Sequence, residues 1–277
     1  MKKSILTLAV LSLSVSAFSA TNTTITNVKK AKTNSFLKNT SLGYFSEYAG
    51  AKFEDTSDTK GVDAGAWNSI KAKYKVNDST KVFVAHTFTL NQHEENSKGE
   101  DQDTYTDEDF RVGVESWSNY TKAIKFRNRV RLESPSLGGG DVKGHKTARL
   151  RASHLVTGSV GRLSLTGVAT MRKWFYNQEK LNQDNEKYEI IPTFVAEYSI
   201  TDKLTAYAEY SQFLDHVGGE ELSFIKAGAQ EIYLGANYNV GKALTVGVFG
   251  YLDGSNQAGM NASEDSRLVV QLSGSIF

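Results

Sequence analysis

From Ser41 onward, apolar side chains recur at every second position, and such strict alternation marks strands whose two faces meet different surroundings. Leu42, Tyr44 and Tyr48 share one face, and Val62, Ala64, Ala66, Ile70, Ala72, Tyr74 and Val76 share the next. Val82, Val84, Phe88 and Leu90 follow, then Phe110, Val112 and Val114, then Ile124, Phe126, Val130 and Leu132. The pattern continues through Ala148, Leu150, Ala152 and Val156 to Leu163, Leu165, Ala169 and Met171. It resumes with Tyr188, Ile190, Phe194, Ala196 and Tyr198, with Leu204, Ala206, Ala208 and Tyr210, and with Ile232, Leu234, Ala236 and Tyr238. The last runs are Leu244, Val246, Val248 and Leu252, and Leu268, Val270, Leu272 and Ile276. Short polar turns alternate with longer polar segments such as 92–109, 134–146 and 177–187. This rhythm predicts an all-β fold, a transmembrane antiparallel up-and-down β-barrel of about 12 strands with both termini at the short-turn end.

Three polar residues, His86, Asn128 and His154, fall on the apolar parity, and Pro192 sits where a strand is expected, which predicts a local break or bulge. Tyr74, Tyr198 and Tyr238 stand shortly before short turns, whereas Phe88, Phe110, Phe175 and Tyr188 stand beside the long segments. Two aromatic girdles at the membrane–water interfaces are the expectation.

The N-terminus carries Lys2 and Lys3, an apolar run over 5–15, and small residues around Ala17, Ser19 and Ala20, the layout of a secretory signal peptide. Residues 1–20 are therefore expected to be removed, residues 21–39 to form a polar N-terminal stub, and residues 40–277 to form the barrel. Beyond the leader, no run approaches the roughly 18 apolar residues of a spanning helix. A barrel hides its apolar content in alternate positions, so a hydrophobic fraction of 39% is compatible with crossing a membrane by strands.

Composition narrows the chemistry. With no cysteine among the 277 residues, disulfide scaffolds and thiolate metal sites are excluded, and a net charge of +1 gives no sign of a nucleic-acid partner. The distribution of charge matters more than its sum. If apolar alternates face lipid, the lumen receives Arg111, Lys125, Arg127, Arg129, Arg131, Arg149, Arg151 and Arg172 from the middle of the chain. It receives Glu189, Glu197, Glu209 and Glu231 from the following strands. A cationic sector beside an anionic one sets a field across a pore, which selects and orients charged solutes. Counting from the turns puts Arg127, Arg129, Arg149, Arg151 and Glu209 near mid-height.

With leader, alternation and the terminal Ser273-Gly274-Ser275-Ile276-Phe277, the chain resembles the Gram-negative outer-membrane porin class. That resemblance implies residence in the outer membrane among lipid and lipopolysaccharide, insertion by the outer-membrane assembly machinery through the C-terminal Phe277, and passive diffusion of small hydrophilic solutes. The arginine rows also look like those of the oligogalacturonate and sialic-acid porin family. This second resemblance is architectural, and it implies that anions or acidic saccharides are favoured. Arginine's planar fork suits carboxylate or phosphate.

Two other readings stand beside the porin. The arginines could pair with luminal glutamates and fill a non-conducting barrel whose surface loops serve adhesion or structure. An enzyme would need a nucleophile with a histidine in reach and a group to orient it. Ser153 and His154 are strand neighbours and so point to opposite faces. His93, His145 and His216 fall in separate loops, near Asp141 and Asp215, where a solvated role is the expectation, so no catalytic residue is assigned. The acidic run Glu94, Glu95, Glu100, Asp101, Asp103, Asp107, Glu108 and Asp109 lacks the spacing of a calcium loop, and Gly138-Gly139-Gly140 lacks the Lys-Ser/Thr of a phosphate loop. No metal or cofactor is expected.

Overall fold

The computed structural model describes residues 38–52, 65–91, 105–135, 146–176, 186–217, 226–241, 243–253 and 266–275. The leader, residues 21–37 of the stub and the terminal Phe277 lie outside these residues. Twelve strands run in chain order: β1 (Thr40–Lys52), β2 (Gly65–Asn77), β3 (Thr80–Asn91), β4 (Tyr105–Asn119), β5 (Ile124–Pro135) and β6 (Lys146–Val160). Then come β7 (Leu163–Tyr176), β8 (Glu186–Ser199), β9 (Leu204–Val217), β10 (Lys226–Asn239), β11 (Leu244–Asp253) and β12 (Ser266–Ser275). Each strand pairs with its sequence neighbour, and β12 returns to β1, closing an antiparallel barrel without a free edge.

The short connections 78–79, 120–123, 161–162, 200–203 and 240–243 lie at the end that also holds Thr40 and Ser275. Their side chains explain their tightness. Thr121 Oγ1 accepts from the backbone N–H of Ala123 and of Ile124, at 3.2 and 3.0 Å. Thr201 repeats this with Lys203 and Leu204, at 3.2 and 2.9 Å. Asn77 Oδ1 accepts from the Ser79 N–H at 2.9 Å, and Gly161 supplies a φ of 58°, a left-handed conformation that other residues resist.

Alternation sorts the side chains as the sequence predicts. Val84, Val112, Val130, Leu132, Leu165, Phe194, Leu234, Val248 and Leu268 are exposed on the outer wall, an apolar surface that suits lipid rather than water. Phe110 and Phe175 toward the long segments, and Tyr198 and Tyr238 beside short turns, stand exposed at its two rims. The inward positions are predominantly polar, with buried apolar exceptions that include Phe83 and Ala85 on β3 and Phe249 on β11. Phe249, 1% exposed, lies flat over Gly235 and Gly247 and is boxed edge-on by Tyr207 and Tyr233 at 5.3 and 6.3 Å. A Cβ on Gly235 would come within 2.7 Å of the Phe249 Cα, and one on Gly247 within 2.4 Å of its ring.

At Pro192, where a local break or bulge is expected, the outcome is a break in pairing with β9. No bulge forms at Pro192, which holds register opposite Ala169, while Ile190 opposite Leu214 and Thr193 opposite Ser211 keep a single register across β9. Pairing lapses at 191–192 because proline has no N–H to give. Register shifts occur elsewhere, for example between His86 and Phe88 against β4.

Candidate functional site

Cross-strand partners share a face, so inward residues form rows around the lumen. One row runs Lys71, Ala85, Arg111, Glu133, Arg149, Trp174 over β2 to β7. The next toward the turns runs Lys73, Phe83, Gly113, Arg131, Arg151, Arg172, Glu189. A third runs Lys75, Lys81, Glu115, Arg129, Ser153, Thr170. Arg127, opposite Leu155, and Lys125, opposite Thr157, lie nearer still to the short-turn end. Arg127 and Arg149 therefore stand three inward rows apart rather than level with each other.

Two carboxylates knit the cationic wall. Glu115, 2% exposed, accepts from Arg127 at 2.7 Å and lies 2.9 Å from Arg129, 3.6 Å from Lys73 and 3.8 Å from Lys71. Glu133, fully buried, binds Arg131 and Arg149 and lies 3.8 Å from Arg111. Asp109 holds Arg111 at 3.1 Å and Arg149 at 2.9 Å, and Glu189 holds Arg172 at 2.7 Å. The guanidiniums of Arg149 and Arg111 also lie over Trp174 and Trp67, 4.4 and 5.3 Å from the ring centroids. These contacts fix each fork in place.

Arg151 differs. It stands between Arg131 and Arg172 in register, so three guanidiniums occupy neighbouring positions of one row. Among the described residues, no carboxylate lies within 4 Å of it. Like charges set side by side on adjacent strands cost stability unless water or an anion screens them. Of the three, Arg131 is answered by Glu133 and Arg172 by Glu189.

The facing wall is acidic and aromatic. On β8 to β10, Glu197 stands opposite Tyr207, and Glu209 stands opposite Tyr233. Glu209 accepts from the Tyr207 hydroxyl, and Glu231 from the Tyr251 hydroxyl at 3.1 Å. Tyr233 and Tyr251 pack at 4.6 Å, and Glu47 of β1 accepts from Gln271 of β12 at 2.7 Å. The basic residues named from alternation thus share a face with Glu115, Glu133 and Asp109 on β4 to β7, and the acidic ones share a face with Tyr207, Tyr233 and Tyr251 on β8 to β11.

Sequence reasoning passed over Glu115, Glu133, Asp109, Glu47, Lys71 and Lys73. All were available from parity. Glu133 alternates with Arg131, and Glu115 with Arg111 across Gly113. Asp109 alternates with Arg111 in the same way, but from sequence it reads as part of the acidic segment before β4, a strand that in fact begins at Tyr105. Ser153 bonds inward to Thr170 at 2.9 Å, while His154 bonds outward to Asn128 at 2.6 Å, so the two stand on opposite faces. His93, His145 and Asp141, the acidic run from Glu94 to Asp103, and the three glycines at 138–140 lie outside the described residues, as does the His216 side chain.

No family model matches the sequence, and no curated protein matches it. Solved structures do match. The NanC porin superposes with a TM-score of 0.53 at 11% identity, over 84% of this chain and 97% of that one. The KdgM porin aligns with a TM-score of 0.49 at 12% identity, over 86% and 99%. LpxR from Salmonella typhimurium aligns with a TM-score of 0.42 at 10% identity, over 84% and 99%. At such identity the likeness to the NanC porin is one of fold, a closed antiparallel barrel built on this scale.

Proposed function

We propose that this chain is an outer-membrane porin for passive diffusion of small hydrophilic solutes, with anions or acidic saccharides favoured along the cationic wall. The observation that carries the reading is the Arg131, Arg151, Arg172 row, whose middle member has no carboxylate partner among the described residues. A solute carboxylate or phosphate reaching Arg151 relieves repulsion that the empty wall bears. Glu209 and Glu197 on the acidic arc keep that group on the basic side, so the solute travels oriented. The pore does no chemistry in this reading. The leader over 1–20 is removed on export, the assembly machinery is a transient partner, and outer-membrane lipid and lipopolysaccharide surround the apolar wall.

A second reading has its own support. The ion pairs around Glu115 and Glu133 are what a filled, non-conducting barrel with adhesive or structural loops would also contain. Refolded protein in planar bilayers separates the two, since discrete conductance steps are expected of the porin and their absence would overturn it. Under a salt gradient, Arg151→Ala is expected to move the reversal potential toward cations. Arg127→Ala with Arg129→Ala should move it further, because it also uncovers Glu115. An unchanged potential in both would remove the arginines from selectivity.

A further inference from the structure

The outer wall carries a polar pair where lipid is expected. Asn128 of β5 and His154 of β6 are direct register partners on the outward face, both exposed, joined by the 2.6 Å contact between Asn128 Oδ1 and His154 Nδ1. His154 lies six residues from the turn end of β6 at Val160. At about 3.4 Å per residue and a tilt near 40°, that is about 16 Å up a belt roughly 25 Å tall. Ser116 stands beside Asn128 in register and extends the polar row.

Other outward polar side chains are answered within their own wall. Asn68, 1% exposed, accepts from the Tyr44 hydroxyl at 2.6 Å and donates to the Ala66 carbonyl at 2.7 Å. Gln212 accepts from the Tyr210 hydroxyl at 2.9 Å and donates to the Phe213 carbonyl at 3.2 Å. His86, also six residues from the turn end of its strand, meets Asp107 at 3.2 Å, and Asp107 accepts from the Tyr105 hydroxyl at 2.7 Å. Among the described residues the exposed Asn128–His154 pair has no side-chain hydrogen bond beyond its own, and an unsatisfied group in hydrocarbon costs several kcal/mol.

What the pair leaves over is self-complementary. If the imidazole Nδ1–H donates to Asn128 Oδ1, the remaining groups are an acceptor at His154 Nε2 and the donor amide of Asn128. With the amide turned and Nδ2 donating to Nδ1, they are a donor at Nε2 and an acceptor at Oδ1. Either assignment gives one donor and one acceptor side by side. A two-fold axis parallel to the membrane normal, lying between two facing walls at the β5–β6 seam, sets each copy's Asn128 against the other's His154, so the leftovers pair twice. Phe126 stacks against the imidazole at 5.9 Å and fixes its plane. On the far side, β7 presents Ala169 opposite His154 and Gly167 opposite Val156, small residues that let a second wall approach.

We infer that this patch is a homodimer interface, in which a second copy of the chain docks through β5 and β6 with reciprocal Asn128 to His154 hydrogen bonds. The inference rests on the barrel being solvated by lipid, and it is independent of whether the lumen conducts. The test uses the full-length refolded chain in phospholipid vesicles. Because the chain has no cysteine, Ala152→Cys, one outward position from His154, reports directly on proximity between copies. Oxidation should join copies through Ala152→Cys and not through Val248→Cys on β11. The variant Asn128→Leu with His154→Leu should keep its heat-modifiable gel migration, showing a folded barrel, and should weaken dimerisation about tenfold in equilibrium sedimentation. Equal cross-linking at both cysteine positions, or unchanged association in the double variant, overturns the inference. So does a monomer that retains bound lipid in wild type and loses it in the double variant, since lipid would then be the occupant. A dimer that conducts nothing would sink the porin reading alone, and a conducting monomer would sink the dimer alone.

Discussion

Replacing Glu115 by glutamine tests whether the cationic wall is held by its embedded carboxylates. At an effective dielectric near 20, each contact of Glu115 with Arg127, Arg129, Lys73 and Lys71 carries about 4–6 kcal/mol of gross attraction at the observed 2.7–3.8 Å. Repulsion among the four cations and the cost of burying the carboxylate cancel most of that sum. Breaking a buried pair by removing one partner leaves a net loss of about 3–5 kcal/mol, and glutamine, which keeps the volume and two polar ends, belongs at the low end. Glu115→Gln should therefore lower the urea midpoint of the barrel in detergent micelles by a readily measured margin. It should also shift the reversal potential toward anions by removing one negative charge from the basic arc. Glu197→Gln, on the facing wall where no Arg or Lys ion pair holds it among the described residues, should shift selectivity in the same sense with little change in midpoint. If Glu115→Gln unfolds at the wild-type midpoint, the ion-pair account of the wall is wrong.

Two further outcomes follow from local geometry. Gly235→Ala should destabilise by about 1–3 kcal/mol or prevent folding, since its Cβ would lie 2.0 Å from the Val248 carbonyl oxygen, and urea titration reads the loss. Asp78→Asn tests the first turn, where the salt bridge from Lys75 at 2.6 Å, chiefly through its hydrogen bond, lowers the carboxyl pKa. A carboxyl with a lowered folded pKa stabilises above its ordinary range and loses that contribution as pH falls through the folded value. The small difference between wild type and Asp78→Asn should therefore be present at neutral pH and vanish in strong acid.

Alternation made most of the architecture legible, because a period of two assigns each residue a face without reference to any partner. Parity alone set the residues from Arg111 to Glu231 on the face opposite the apolar alternates. What parity cannot express is which inward neighbour answers which, since that depends on register between strands. Thus Arg127 and Arg149, both expected near mid-height, belong to different rows, and the arginines that looked like uncompensated crowding are largely neutralised by Glu115, Glu133 and Asp109. Arg151 stands apart only once register is known. The polar exceptions were visible as well, yet that Asn128 and His154 are each other's partners is again a statement about register.

The seam between β1 and β12 joins residues as far apart as Glu47 and Gln271, 224 positions along the chain, whereas every other pairing links consecutive strands. Hairpins over the short turns can form one at a time, but none of them supplies the two edges of the seam with partners. Until the ends meet, a row of backbone N–H and C=O groups on each edge stays open to hydrocarbon, at several kcal/mol apiece. Partly zipped sheets are therefore strongly disfavoured within the bilayer. The ring gains and loses its integrity in a single event, which makes the pairing of β12 with β1 the step that locks all the other strands.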